Sequence, residues 1–370
     1  MPTSDAFDYA RTIVQPKIRR MSNLPAEINP TMLSVSGTSP GPVAVSPTAS
    51  LPTITSPAAA VPKARVPSRL GPSPSPSNYG NLYGVNSPYH YNDILIDGSE
   101  YTNFPQSATG MLWISQDGVN WGWCSASLIG RNIGVAAGHC VRENHTWIRY
   151  GLYIPACIGC GRFDGNVGAV YAPFGYAWLW FIGTTAGWAN NEAIDQGYDI
   201  SVFVTGPLVN NSNFPGDYTG WNSFCYLNCL QPDWMLRQTG FPFDYAGGNW
   251  MFEGQHLAVS DTRDYVVGSG AGPGSSGGPW VANAGLYPAY LYDSSSDKGQ
   301  WPYGNAVFAT TSWGYSAANN TSYSYKIQGG SSLSGVNNSN DGSGTGFKGM
   351  YNFACNKSRS LFGTSLCTPL

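Results

Sequence analysis

From about Asn86 onward, Gly, Asn, Asp and Pro cut this chain into short apolar or alternating runs, and that spacing constrains the fold most. The runs are Met111–Ser115, Ser125–Ile129, Ile133–Ala137, Trp147–Ile154, Ala177–Ile182, Ile200–Val204, Met235–Thr239, Tyr265–Val267, Pro279–Val281 and Ala306–Trp313. Strands of this length between turn residues belong to antiparallel sandwiches and barrels. No long segment shows clear helical periodicity, and no repeat of fixed period is present. With 46 Gly, 27 Pro, 13 Trp and 23 Tyr, the 370 residues read as an all-β protein.

Charged residues make up only 11% and the net charge is −3, which argues against a nucleic-acid partner needing a basic stripe. No apolar run reaches the roughly 18–20 residues of a membrane-crossing helix. Residues 1–85 stand apart. They hold about half of the prolines and no Trp or Cys, and Gly71–Ser77 reads GPSPSPS. Alternate prolines remove the amide donors that a helix or ladder needs. This segment is expected to be a disordered extension or a removable prosegment, with the folded domain over residues 86–370. Met1–Arg20 carries no apolar core of the kind a secretory signal requires. Another export route, a different start or an intracellular protein all remain open on that point.

Eight cysteines fall into four neighbouring pairs: Cys124 with Cys140, Cys157 with Cys160, Cys225 with Cys229, and Cys355 with Cys367. Four disulfides formed in an oxidising, extracellular compartment are the preferred reading. The competing reading is zinc held by Cys157, Cys160, Cys225 and Cys229. Sequons beginning at Asn144, Asn210, Asn319, Asn320, Asn337 and Asn356 fit secretion.

Three features carry chemistry. His139, one of four histidines, ends the run Gly134–Cys140 in a turn of small residues, beside a cysteine whose disulfide would pin the loop. A general base needs such a fixed orientation. Ser276 lies in Gly270-Ala-Gly-Pro-Gly-Ser-Ser-Gly-Gly-Pro279, where the amides of Gly274 and Ser276 are placed to converge as an oxyanion hole. Asp199 precedes the alternating run Ile200–Val204, so a rigid strand would hold its carboxylate against a histidine; Asp195 is its rival. Gly274–Gly278 also matches the G-x-S-x-G elbow of α/β-hydrolases, but those enzymes need a histidine after the serine. All four histidines here precede Ser276. A subtilisin order would need an Asp before His139 in an α/β pattern, which is missing. His, Asp, Ser on an all-β chain remains.

These blocks resemble the chymotrypsin-like serine endopeptidases, and among them the bacterial glutamyl endopeptidase branch. CSASLIGRNIGVAAGHC is similar to the family's histidine block, with Ala-Ala-Gly-His-Cys for Ala-Ala-His-Cys. YDISVFV is similar to the aspartate strand, GPGSSGGP to the nucleophile loop, and Thr311-Ser-Trp-Gly314 to the strand beside the specificity pocket. The resemblance covers about Ala108 to Tyr325. It implies two six-stranded antiparallel Greek-key barrels with a cleft between them. It further implies Ser276 as nucleophile, His139 as base and acid, Asp199 as orienting carboxylate, and the Gly274 and Ser276 amides as oxyanion donors. Gly270, Ala271, Thr311, Ser312, Trp313 and Gly314 would contact substrate, and Ser312 would also bond Asp199.

The departures carry information too. Ser275 replaces the aspartate that, in the animal enzymes, pairs with a newly cut α-amine, so activation by that ion pair is not expected. Gly270 stands at the pocket base and Thr311 where glutamyl endopeptidases keep a histidine. A neutral pocket for an apolar or aromatic side chain follows, since burying an unpaired charge is costly. The expected activity is hydrolysis of protein or peptide substrates by a secreted monomer, without metal or cofactor and without a membrane partner. The alternative is an inactive homologue whose barrels serve binding or adhesion.

Overall fold

The computed structural model describes residues 91–96, 100, 102–160, 172–192, 197–209, 211–226, 235–243, 246–257, 259–260, 264–282, 284, 305–316, 326–333, 346–363 and 366–370. The Pro-rich segment 1–85, Cys229 and Asp195 lie outside the described residues.

Strand β1 (Tyr91–Leu95) is followed by β2 (Thr109–Ser115), β3 (Gly122–Leu128) and β4 (Ile133–Ala136). A short hairpin, β5 (Arg142–Glu143) with β6 (Thr146–Trp147), precedes β7 (Tyr150–Pro155), β8 (Ala177–Thr184) and β9 (Ser201–Leu208). Strands β2-β3-β4-β9-β8-β7 close a six-stranded antiparallel barrel, as the sequence leads one to expect.

The period of two along its strands divides the side chains between two cores. Ala136, Phe203, Leu112, Leu128 and Tyr153 join one cluster in the first barrel. The alternate residues Ile133, Val135, Val202 and Val204 join another, which also takes Val281 and Val307 from the second sheet. Being buried on both faces, β3 and β4 are buried at every position.

The second half supplies β10 (Ser223–Phe224), β11 (Met235–Gly240), β12 (Phe252–Leu257), β13 (Val259–Ser260) and β14 (Asp264–Gly268). It continues with β15 (Pro279–Ala282), β16 (Ala306–Ser316) and β17 (Lys326–Ser332). The sheet runs β1-β12-β11-β15-β16-β17-β14-β13, with β10 paired to β16. One residue separates β12 from β13, and β13 pairs β14, so the two ends of the six-stranded core meet in a nearly closed second barrel.

The C-terminal segment departs from the expected absence of long helices. Phe347–Phe362 forms a 16-residue helix against β8 and β9. Among its buried residues, Phe347, Met350, Tyr351, Ala354, Cys355 and Ser358 recur every three or four positions, one face of an α-helix, and Asn352 is buried beside them. That face belongs to the cluster containing Val281 and Val307, so the helix covers the seam between the two barrels. Ser358 Oγ donates to Asn132 Oδ1 at 2.8 Å and the Leu370 amide donates to Asn352 Oδ1 at 2.5 Å.

Disulfides join Cys124 to Cys140, Cys157 to Cys160 and Cys355 to Cys367. Cys225 is disulfide-bonded as well. These bonds remove the thiolates that the zinc reading of Cys157, Cys160 and Cys225 required, and that reading is overturned. The Cys355–Cys367 bond closes a loop of 12 residues, whose entropy it removes from the unfolded chain. Replacing both with Ser is expected to lower unfolding free energy by about 2–4 kcal/mol. Denaturant unfolding of oxidised wild type and double variant measures it, and coincident midpoints would contradict a fastening role for the tail.

Candidate active site

The histidine is set by strand register. Ala136 at the end of β4 faces Ser201 at the start of β9. Continuing outward from that pair, the turn Gly138–Val141 brings His139 against Asp199. Side chains fix the approaching backbone: Ser201 Oγ donates to Ala137 O, Thr184 Oγ1 to Ile200 O and Thr185 Oγ1 to Tyr198 O, at 2.6–2.8 Å. The Cys124–Cys140 disulfide ties the turn to β3. Gly138, the extra residue of the Ala-Ala-Gly-His-Cys block, has a packing reason. A Cβ there would stand 2.7 Å from Thr184 Oγ1 and 2.8 Å from the Trp188 ring.

Asp199 is fully buried and accepts three hydrogen bonds. The His139 amide donates to Oδ1 and His139 Nδ1 to Oδ2, both at 2.7 Å, while Ser312 Oγ donates to Oδ2 at 2.6 Å. A carboxylate accepting from Nδ1 selects the tautomer with its proton there, which leaves Nε2 as the basic nitrogen. Burial, the largest influence on His139, disfavours the imidazolium. The Asp199 charge and hydrogen bond, with a contribution from Glu143, outweigh it and raise the pKa above the ordinary 6.5.

The Ser276 loop is gripped across the barrel interface by Ser125 of β3. Its Oγ donates to Gly274 O at 2.8 Å and its amide to Ser276 O at 2.7 Å, while the Phe241 amide donates to the same Oγ at 2.8 Å. Ser276 O also lies 3.8 Å from the Cys140 sulfur, a contact only, since a disulfide sulfur carries no proton. The serine is thereby held beside the residue following His139. No hydrogen bond joins Ser276 Oγ to His139 Nε2 among the described residues. Such links are commonly long before substrate binds and tighten in the complex.

The loop amides divide cleanly. Ser275 N donates to Gly272 O, Gly277 N to Thr311 O and Gly278 N to Ser275 O, whereas the amides of Gly274 and Ser276 donate to no described residue. In a trans peptide the N–H points opposite to the preceding carbonyl. Pro273 O accepts from Phe243 N at 2.6 Å and Ser275 O from Gly278 N at 2.8 Å, so both uncommitted N–H groups point away from those anchors. Gly274 (φ 94°) and Gly277 (φ 80°) make the turn possible. A Cβ at Gly274 would come within 2.5 Å of Trp123 Nε1 and 2.6 Å of Phe241 O.

Of the residues expected to contact substrate, Gly270 and Ala271 open the loop. Ser312, Trp313 and Gly314 lie on β16 beyond its last pairing with β15, at Thr310, so no described strand flanks them on that side. Thr311 turns its hydroxyl inward, accepting from Gln238 Nε2 at 2.8 Å and Trp280 Nε1 at 2.9 Å. His145 is exposed near Glu192, and His256 is buried, its pKa pushed down to about 3 by desolvation. His90 lies outside the described residues. Three residues that the sequence reading passed over, Ser125, Gln238 and Gln328, turn out to hold the loop. Strand glutamines and a serine inside a motif leave no pattern by which to find them.

Two barrels of this strand order, with the His–Asp pair on the first and the serine loop on the second, decide the architecture. The fold is the chymotrypsin-like double β-barrel. The chain matches no protein-family model. It is 27% identical over 206 residues to a protein named extracellular metalloprotease from Bacillus subtilis (strain 168), spanning 55% of this chain and 56% of that one. Less than two thirds of that relative's length is therefore covered. Solved structures similar to the chain include the protease Anisep from Arthrobacter nicotinovorans, at 20% identity and TM-score 0.45 over 62% of this chain and 92% of that one. The thermostable serine protease AL20 from an extremophilic microorganism aligns at 18% and 0.46 over 62% and 92%. A Glu endopeptidase aligns at 16% and 0.45 over 65% and 91%.

A metal site needs several donor groups close together. Among the described residues one trio has suitable side chains within reach of one another: Cys124, His139 and Cys140. Its two sulfurs are bonded together and His139 Nδ1 is bonded to Asp199, so the trio does not fit a metal ion.

Because the folded pKa of His139 is raised, its protonated form stabilises the fold fully below pH 6.5, and this contribution is lost as pH rises through the higher folded value. Imidazole NMR should give His139 a midpoint above 6.5 in the native chain. In Asp199→Asn the charge is gone while burial remains, so the midpoint should fall below 6.5. An unchanged midpoint would remove Asp199 as the cause.

Proposed function

We propose that this chain is a serine endopeptidase acting through an acyl-enzyme, with Ser276 as nucleophile, His139 as general base and acid, and Asp199 as its orienting carboxylate. The observation that carries the reading is the buried His139–Asp199–Ser312 row beside a serine loop with two uncommitted amides. Ser276 Oγ attacks the substrate carbonyl while His139 Nε2 takes its proton. The oxyanion is received by the N–H groups of Gly274 and Ser276, dipoles already oriented before charge develops. His139 then hands the proton to the leaving amine. Water, deprotonated by the same nitrogen, hydrolyses the acyl-serine and regenerates the hydroxyl.

Substrate backbone would add as a strand along Ser312–Gly314, beyond the last pairing of β16 with β15. Gly270, Ala271 and Gly314 would admit an uncharged side chain, apolar or aromatic, because a buried charge would find no partner there. The four disulfide-bonded pairs expected from sequence, three of them formed between described residues, support action outside the cell. Among the described residues no helix is long and apolar enough to cross a membrane. Folded as one two-barrel unit over residues 86–370, the chain would act as a monomer on proteins or peptides.

A fluorophosphonate probe tests the assignment, since only an activated serine reacts with it. Wild type should label on Ser276 and Ser276→Ala should not; an inert binding homologue would leave wild type unlabelled. For His139→Ala, kcat should drop by roughly four to six orders of magnitude with the fold intact. Wild-type turnover in that variant would refute the base.

A further inference from the structure

Behind the serine loop lies a buried hydrogen-bonded system without a single charge. Gln328 of β17 donates through Nε2 to Ala271 O and to Ser275 Oγ, both at 2.9 Å. Its Oε1 accepts from Gln238 Nε2 of β11 at 2.5 Å. Gln238 Nε2 gives its other proton to Thr311 Oγ1 at 2.8 Å, and its Oε1 accepts from Ser269 Oγ at 3.0 Å. Ser275 Oγ donates in turn to Gly272 O at 2.6 Å. All four amide protons of the two glutamines are therefore used. Turning the Gln328 amide over would set oxygen against oxygen at Ala271, so one orientation is fixed.

Position gives this network its consequence. In the β16–β17 ladder Gln328 faces Gly314, on one wall of the pocket proposed above. Its side chain reaches Ala271, on the other wall, and Ser275, the neighbour of the nucleophile. It is buried, 3% exposed. We infer that Gln328, braced by Gln238, is a positioning and specificity-determining residue: it fastens the loop carrying Ser276 and the oxyanion amides, and closes the pocket with a neutral floor. The inference rests on the serine-peptidase reading and deepens it.

The chemistry differs from an ion pair to a freed α-amine. Ser275 has no carboxylate to offer one, and its hydroxyl is engaged within the barrel itself. Loop order then comes from folding of the second barrel and waits for no newly cut terminus. A neutral brace also carries no titrating group into the pocket. A buried amide with all its protons bonded has none left to give an acidic side chain, and no charge to pair with a basic one.

Fluorophosphonate labelling and peptide-library profiling of the full chain test this with Gln328→Leu and Gln328→Glu. Loss of the brace in Gln328→Leu should slow Ser276 labelling and kcat about a hundredfold, as misplacement of a reacting group does. Gln328→Glu keeps the length of the side chain but loses the proton given to Ala271 O and places a carboxylate on the floor, so labelling should slow here too and relative preference for Lys and Arg at the cleaved bond should rise about tenfold or more. A merely structural glutamine would not redirect preference. Wild type that labels while Gln328→Leu labels equally fast overturns the inference and leaves the peptidase reading standing. So does an unaltered preference in folded Gln328→Glu, which carries the test alone if the leucine variant does not fold. Wild type that never labels ends both.

Discussion

A single buried carboxylate organises the cleft. Asp199 accepts hydrogen bonds from the His139 amide, the His139 ring and the Ser312 hydroxyl, so two chain segments from opposite barrels converge on it. An unpaired carboxylate so deep in the protein would cost several kcal/mol or more, whereas one with three donors is tolerated. The requirement works in both directions. The β4–β9 register must bring His139 to the carboxylate, and β16 must pass close enough for Ser312 to reach it, which fixes how the barrels meet.

The serine loop has a different kind of support. Its carbonyls are bonded outward to Ser125, Phe243 and Gly278, and peptide geometry then turns the Gly274 and Ser276 amides the other way. Charge near the histidine and neutrality behind the serine suit their tasks. In the proposed reaction the imidazole would need a counter-charge to become a better proton acceptor, and a pocket for uncharged side chains would be best lined by groups that never ionise.

Legibility in the sequence followed side-chain chemistry closely. Strands with apolar alternation, such as β2, β4 and β9, could be read directly. Strand β17 could not: its buried residues include Gln328, Gly329, Gly330 and Ser331, and no apolar pattern marks it. The structure gives the reason. A Cβ at Gly330 would stand 2.9 Å from the Trp280 ring, and Gly329 is covered by Trp313, so large neighbours fill the space a valine would need. Phe347–Phe362 kept its helical spacing, but Gly346 offers no side-chain cap and a Gly/Ser/Asn stretch precedes it, hiding its start. His139, Asp199 and Ser276 stood out as candidates because glycines, cysteines and strand starts framed them. Gln238 and Gln328 had no such frame, since their meaning arises only when two strands far apart in sequence are laid within one barrel.

Ser125 shows why the two halves of the site cannot be considered separately. Neighbour to Cys124, it belongs to the strand that the disulfide joins to the histidine turn. Its hydroxyl donates to Gly274 O and its amide to Ser276 O, two carbonyls of the loop that carries Ser276. One residue thus links the position of the imidazole to that of the serine through a covalent bond on one side and two hydrogen bonds on the other. A shift of β3 would move both partners together and preserve their separation, whereas rotation of one barrel on the other would have to break these bonds. Relative movement of the His139 turn and the Ser276 loop is therefore opposed by bonds on both sides of β3.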